Sequence, residues 1–138
     1  MKKAIEYERE RVSQRAWDYC HPRSEKINKS EIRPIWIDQI QDAIFFANMA
    51  LVKNPEDGGT CNFDAAMVKK EKGFTYDETI AMFKECGLYA CKGRGWSKGW
   101  IIIDTPYGQA NARTRWAESF AKTLSFKGFE TSMYYQMD

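Results

Sequence analysis

The chain has 138 residues, of which 43% are hydrophobic and 29% charged, and its formal net charge is +2. This length favours a single domain spanning residues 1–138, and this composition is typical of a folded protein. The small charge does not require nucleic acid as a partner. The longest apolar run, residues 43–52, is broken by Asn48 and is too short to cross a membrane, and the charged N-terminus does not resemble a secretory signal. We therefore expect a cytoplasmic protein without membrane association.

Histidine is nearly absent: His21 is the only one in the sequence. Histidine is the usual general base of enzymes and a common metal ligand. The cysteines are scattered and form no C-x-x-C pair; they are Cys20, Cys61, Cys86 and Cys91. A zinc site built from these cysteines and His21 has poor spacing, so reduced, buried thiols are the simpler interpretation. The pattern favours binding over catalysis, and we predict no metal and no cofactor.

Two helices are predicted before residue 54. Residues 3–19 carry a narrow apolar stripe, and Trp17 lies off this stripe, where it can contact a ligand or a partner. The second helix starts near Ser30 and is apolar over more than half of its circumference, which favours contact with both its own core and a second subunit. Residues 1–53 are therefore predicted to form a helical arm that makes a homo-oligomer, either a dimer or a multiple of dimers.

Residues 59–138 predict a core with the element order βαββαβ. Apolar and polar residues alternate in the predicted strands. A Thr75–Glu78 capping box and Gly87 mark the first core helix, and residues 93–99 form a flexible, glycine-rich hairpin tip. The predicted strands are 60–68, 88–92, 100–104 and 129–137, and the second core helix is 111–126. This order is that of the α+β split βαβ fold, an antiparallel sheet with helices on one face. The two N-terminal helices could cover the other face, extend the helix layer or form an interface.

The start of the last predicted helix is the first candidate site. Arg113 and Arg115 lie where backbone N–H groups and the helix dipole already attract anions, which favours a bound phosphate or carboxylate. Neutral side chains that can hydrogen-bond the same ligand lie beside them; these are Gln109, Asn111 and Thr114. Alternatively, the arginines pair with carboxylates such as Asp104, Glu118 or Asp138.

The hairpin tip is the second candidate site. Lys92, Arg94 and Lys98 alternate with glycines around Trp96, a pattern that suits stacking on a purine ring while the cations meet phosphates. Alternatively, the tip is a solvated turn in which Trp96 covers the edge of the core. Trp100 begins an apolar run and is predicted to lie in the core.

The third candidate is the predicted strand start at residues 58–64. Asn62 and Asp64 on one strand face can recognise a base edge or a ribose hydroxyl, or they can cap a loop or a bulge. A nucleophilic Cys61 has no histidine placed as its partner. A hydrolase would use Asp64, Asp104 or Glu118 as general acid or base, although their spacing does not require this.

Four stretches resemble a pattern of small phage and prophage proteins. They are GTCNFD at 59–64, a Trp- and Lys-bearing hairpin at 96–100, G-x-x-N-x-R-T-R-x-A-E at 108–118 and YYQMD at 134–138. The match covers most of residues 59–138 and little of the N-terminal helices. The chain resembles the phage anti-defence signal sponges, most closely the anti-Thoeris type. The resemblance implies a non-enzymatic oligomer in the host cytoplasm that captures cyclic ADP-ribose isomers or cyclic oligonucleotides before they reach an immune effector. It transfers no individual ligand residue to this chain.

We therefore predict a protein that sequesters a phosphate-bearing cyclic nucleotide signal and is not an enzyme. The predicted ligand contacts are Trp17, Asn62, Asp64, Arg94, Trp96, Lys98, Gln109, Asn111, Arg113, Thr114 and Arg115. Two alternatives stay open. One is a small phosphodiesterase or nucleotide hydrolase, and the other is an inhibitor from a mobile element that binds nucleic acid or protein through the hairpin.

Overall fold

The computed structural model describes residues 28–54, 58–59, 63–106 and 110–135. Its elements in chain order are α1 (Lys29–Lys53), β1 (Ala65–Lys69), α2 (Tyr76–Glu85), β2 (Ala90–Lys92), a short 3₁₀-helix (Gly95–Ser97), β3 (Trp100–Ile103), α3 (Ala110–Phe126) and β4 (Thr131–Tyr134). The helix predicted at 3–19 lies outside the described residues. Within the described ranges, no helix is long and apolar enough to span a bilayer.

The strands form one antiparallel sheet in the order β2-β3-β1-β4. Strand β3 lies between β1 and β2, and β1 lies between β3 and β4, which is the split βαβ arrangement. The predicted α+β fold class is thus confirmed. The strands are shorter than predicted: β1 begins at Ala65, so Asp64 precedes the strand and does not lie on one of its faces.

One face of the sheet packs on the helices and forms the core. Ala66, Val68, Ile101 and Ile103 point to this side and are buried against α2 and α3. One side of α3 is also buried, and its residues are Ala117, Phe120, Ala121 and Leu124. Because side chains alternate along a strand, Met67, Ile102 and Tyr134 point to the opposite side, which we call the second face.

Helix α1 extends the helix layer, the second of the three placements that the sequence left open. It packs against α3 and α2, and its Trp36 ring lies 4.7 Å from the Phe74 ring and 5.3 Å from the Phe129 ring, measured between centroids. Asn48, which interrupts the apolar run, accepts a 2.9 Å hydrogen bond from Nε1 of the fully buried Trp116. The outer side of α1 leaves large apolar side chains exposed, namely Phe45, Phe46, Met49 and Val52.

The predicted capping box at the start of α2 is confirmed. Thr75 Oγ1 accepts a 3.0 Å bond from the Glu78 N–H, and Glu78 Oε1 accepts a 2.9 Å bond from the Thr75 N–H. This backbone N–H and the Lys29 ammonium stabilise the carboxylate, and they hold the pKa of Glu78 below its ordinary value of 4.5. Gly87 ends the helix with φ +86°, as its sequence position predicts. The cap fixes the position of Tyr76, the first residue of α2.

Candidate functional site

The hairpin between β2 and β3 is closed by hydrogen bonds within its glycine-rich turn. The hydroxyl of Ser97 accepts a 3.0 Å hydrogen bond from the Arg94 N–H and donates a 2.8 Å bond to the Arg94 carbonyl. Ser97 is buried and presses on Gly93, where an added Cβ would lie 2.1 Å from the Ser97 carbonyl oxygen. Glycine is therefore required at position 93 by the close approach of the Ser97 backbone.

This turn places Trp96 over the second face of the sheet. The indole ring stacks on the Tyr134 ring of β4, with 5.3 Å between centroids and 10° between planes. Trp96 nevertheless remains 71% exposed. One face of the indole therefore contacts tyrosine while its outer face is open to a planar ligand.

A groove of about 750 Å³ runs along this turn and around the edge strand β2. We call it the hairpin groove, and its chemistry comes from Tyr76, Lys92, Arg94, Trp96, Lys98 and Tyr134. The Lys92 ammonium lies 4.8 Å from the centroid of the Tyr76 ring. Within the described ranges, neither this lysine nor the two cations on the turn make a salt bridge, whereas Lys29, Arg33, Arg113 and Lys127 do.

The groove brings together three of the predicted ligand residues: Arg94, Trp96 and Lys98. Sequence reasoning did not select Tyr134 or Tyr76 for the site, because their proximity to the hairpin depends on sheet order and on the α2 cap. The alternation of the last strand was the available signal for Tyr134. The prediction for Trp100 is corrected: it points to the second face, opposite Lys69, is only partly buried, and lies 4.9 Å from that ammonium.

Arg113 follows the alternative interpretation, in which it pairs within the protein. Its Nε donates to the Asp64 carbonyl at 2.9 Å, its Nη2 to Asp104 Oδ1 at 3.0 Å, and its Nη1 approaches the Thr105 carbonyl at 3.4 Å. Thr114 donates a 2.8 Å bond to Asp64 Oδ2. These contacts tie the entry of β1 to the first turn of α3, so Asp64 caps a junction instead of presenting a carboxylate from a strand.

Asn111 and Arg115 both contact the chain that precedes β1. The Asn111 N–H donates to the Gly58 carbonyl at 3.1 Å, and the Asn111 side chain covers Gly59, where an added Cβ would lie 2.8 Å from its Oδ1. Arg115 donates a 2.7 Å bond to the Asn54 carbonyl. Of the described residues in this predicted anion site, none lines the hairpin groove. Trp17, Asn62 and Gln109 lie outside the described residues, so their predicted roles stay predictions.

Two carboxylates proposed for a hydrolase are engaged in hydrogen bonds. Asp64 is buried and bonded to Thr114, and Glu118 Oε1 accepts a 2.9 Å bond from the Tyr135 hydroxyl. Burial, together with the negative charge of Glu118, raises the pKa of Tyr135 above its ordinary value. Within the described ranges, no group of three or more His, Cys, Asp or Glu side chains is placed to hold a metal ion.

No protein-family model, curated protein or solved structure matches this chain.

Proposed function

We propose that this protein captures a phosphate-bearing nucleotide in the hairpin groove and holds it without chemical change. The observation that carries the proposal is Trp96, a largely exposed indole held flat on Tyr134. Such a ring offers a stacking surface to a base, and base–aromatic stacking contributes about 1–3 kcal/mol per base. Arg94 and Lys98 flank the indole and supply positive charge for phosphate.

Capture is favoured over hydrolysis by the surroundings of the carboxylates. A general base must reach the reacting group, yet Asp64 and Glu118 already accept hydrogen bonds from Thr114 and Tyr135. Asp104 is paired with Arg113. None of these three carboxylates belongs to the lining of the hairpin groove.

The biological role that we propose comes from the sequence resemblance to anti-defence sponges. In this role the ligand is a cyclic ADP-ribose isomer or a cyclic oligonucleotide, and its removal in the host cytoplasm blocks an anti-phage response. A sponge acts by affinity, so the preformed turn is an advantage because the site does not have to be ordered when the ligand binds.

A thermal-shift screen with cyclic ADP-ribose isomers and cyclic di- and trinucleotides tests the proposal. A ligand present at a hundred times its Kd adds about 2.7 kcal/mol, which raises the Tm of a chain of this length by roughly 8 °C. The Trp96→Ala variant should bind roughly five- to 150-fold more weakly. Tyr89→Ala is the matched control, because Tyr89 is 78% exposed and is not part of the groove lining.

The fate of the ligand separates capture from the hydrolase alternative. The bound nucleotide should be recovered intact after the protein is denatured. Recovery of a cleaved product would establish the hydrolase and end the sponge proposal. The absence of any nucleotide-induced shift would end both.

A second candidate function is binding of single-stranded nucleic acid. It is favoured by the position of Trp96 and Tyr134 on one face of a four-stranded sheet, an arrangement that RNA-binding modules use to stack bases. Binding of this kind should weaken steeply as salt rises, because the cations displace counterions from several phosphates. A flat salt response with an oligonucleotide would exclude it.

We also propose that the exposed side of α1 pairs two copies of the chain. Phe45, Phe46, Met49 and Val52 form an apolar strip along one helix, and a two-fold axis brings such a strip onto itself. Phe46→Glu should therefore reduce the mass found by light scattering, whereas Tyr89→Glu should not. An unchanged mass for Phe46→Glu would exclude this interface.

A further inference from the structure

Strand β4 forms one edge of the sheet, and some of its backbone groups point away from β1. The Lys69 N–H donates to the Glu130 carbonyl at 2.8 Å, and the register pairs Met67 with Ser132. Because hydrogen-bonded pairs alternate in an antiparallel ladder, Ser132 bonds to β1 while Thr131 and Met133 direct their N–H and C=O groups away from it. Within the described ranges, no backbone partner meets these groups.

The two sheet edges differ in how they are protected. Strand β2 has three residues, ends in Lys92 and is followed by the folded turn. Strand β4 has the sequence Thr-Ser-Met-Tyr, with neither a charged residue nor a proline. Short edges and edge lysines both hinder edge-to-edge pairing; both edge strands are short, but β4 lacks the lysine.

A shallow groove of about 480 Å³ separates β4 from α3. Ala121 and Met133 contribute to its lining, and Glu118 and Lys122 lie along its helix side. Both charged residues are exposed and are one helical turn apart. A strand added beside β4 would therefore meet the outward backbone groups of Thr131 and Met133 next to one negative and one positive side chain.

We infer that β4 pairs antiparallel with β4 of a second copy of this chain, about a two-fold axis at Ser132, so that the two sheets become one. In this register Thr131 of each copy faces Met133 of the other, and every outward N–H and C=O group of these residues finds its complement. The same axis turns α3 of the second copy antiparallel, which brings Glu118 of one copy toward Lys122 of the other. This edge is separate from the strip on α1 and from the hairpin groove, so the inference does not rest on nucleotide binding.

Proline at position 131 tests the pairing directly. Thr131→Pro deletes an N–H that points away from β1, and proline is tolerated at the first residue of an edge strand. Thr131→Val is the matched control, because it also loses the hydroxyl bonded to the Ala121 carbonyl but keeps the N–H. We expect the mass of the assembly, measured by light scattering, to halve for Thr131→Pro and to match the wild type for Thr131→Val.

Hydrogen exchange distinguishes this edge from the α1 strip. In the wild type, the amides of Thr131 and Met133 should become protected as the protein concentration rises. Lys122→Glu should remove that protection, and the double variant Glu118→Lys, Lys122→Glu should restore it. A wild-type monomer at all concentrations would overturn the inference. So would rapid exchange of both amides in an oligomer, because the subunits would then meet elsewhere.

Discussion

Arg113 donates its Nε hydrogen to the carbonyl oxygen of Asp64 at 2.9 Å, which joins the entry of β1 to the first turn of α3. The same guanidinium pairs with Asp104 at 3.0 Å. We expect Arg113→Ala to lower the free energy of unfolding by about 2–3 kcal/mol, since hydrogen bonds from a charged, partly buried group contribute about 1.5–3 kcal/mol. Urea denaturation measures the loss.

The control for this prediction is Arg33→Ala, which removes the ion pair of Arg33 with Glu85 on the surface. That change should lower the free energy of unfolding by less than about 1 kcal/mol. Folded Arg113→Ala should bind nucleotide as the wild type does. If Arg113→Ala loses nucleotide binding but keeps wild-type stability, Arg113 contacts the ligand, as its sequence position predicted.

The shape of the hairpin turn depends on Gly93. An added Cβ at this position would lie 2.1 Å from the Ser97 carbonyl oxygen, so Gly93→Ala must open the turn. We expect a loss of about 1–3 kcal/mol in the free energy of unfolding, with nucleotide binding weakened at least tenfold. Gly87→Ala, at a helix end with open space around it, should cost about 1 kcal/mol and leave binding unchanged. Equal nucleotide affinity in both variants would contradict the role of the turn.

Asn48 is a polar residue that the fold requires within an apolar helix. Its Oδ1 accepts the bond from Trp116 Nε1, and Trp116 is fully buried. Asn48→Leu should destabilise the protein by about 1–3 kcal/mol despite its greater hydrophobicity, because the buried indole N–H loses its acceptor. Val52→Asn, on the exposed side of α1, should change stability by less than about 0.5 kcal/mol. Thermal denaturation of the two variants gives the comparison, and a stabilised Asn48→Leu would refute the prediction.

Glu78 should make the free energy of unfolding depend on pH in the acidic range. Its pKa is lowered in the fold by the Thr75 backbone N–H and by Lys29. The stability it contributes is therefore present above its ordinary pKa of 4.5 and is lost as the pH falls through the lower folded value. Glu78→Gln keeps the shape of the cap without the charge, so it should be less stable than the wild type near neutral pH.

The difference between wild type and Glu78→Gln should shrink as the pH is lowered below the ordinary pKa of 4.5, in urea denaturations repeated along a pH series. Glu130→Gln serves as the control, because Glu130 is exposed and forms no salt bridge within the described ranges. A difference that stays constant across the series would contradict the role of the Glu78 charge.

Local signals predicted the elements of this fold well. The Thr75–Glu78 box and Gly87 marked α2, and alternation marked the strands, because these features depend on neighbours within a few residues. Strand ends were less predictable. Asp64 alternates with apolar residues as a strand residue would, but its carboxylate bonds to Thr114, 50 positions away.

The residues of the candidate site were likewise predictable only where the signal was local. Trp96, Arg94 and Lys98 could be selected from sequence because a glycine-rich turn bearing cations and an indole is a local pattern. Tyr134 could not, because its contact with Trp96 requires β4 to lie beside β1 and the turn to fold over the second face. For Arg113 the sequence left both a ligand and an internal partner open, because the Asp64 carbonyl that it bonds is remote in sequence.

By itself, the sequence determined the element order βαββαβ, the positions of the capped helix and the hairpin, and a chemistry poor in histidine and rich in aromatic rings. The tertiary structure alone decided which cations face a groove and which are tied to carbonyl and carboxylate oxygens. It also decided that β2 and β4 form the two edges of the sheet. The physical reason is that propensity, capping and alternation act over a few residues, whereas packing and hydrogen bonding between distant segments determine what each side chain contacts.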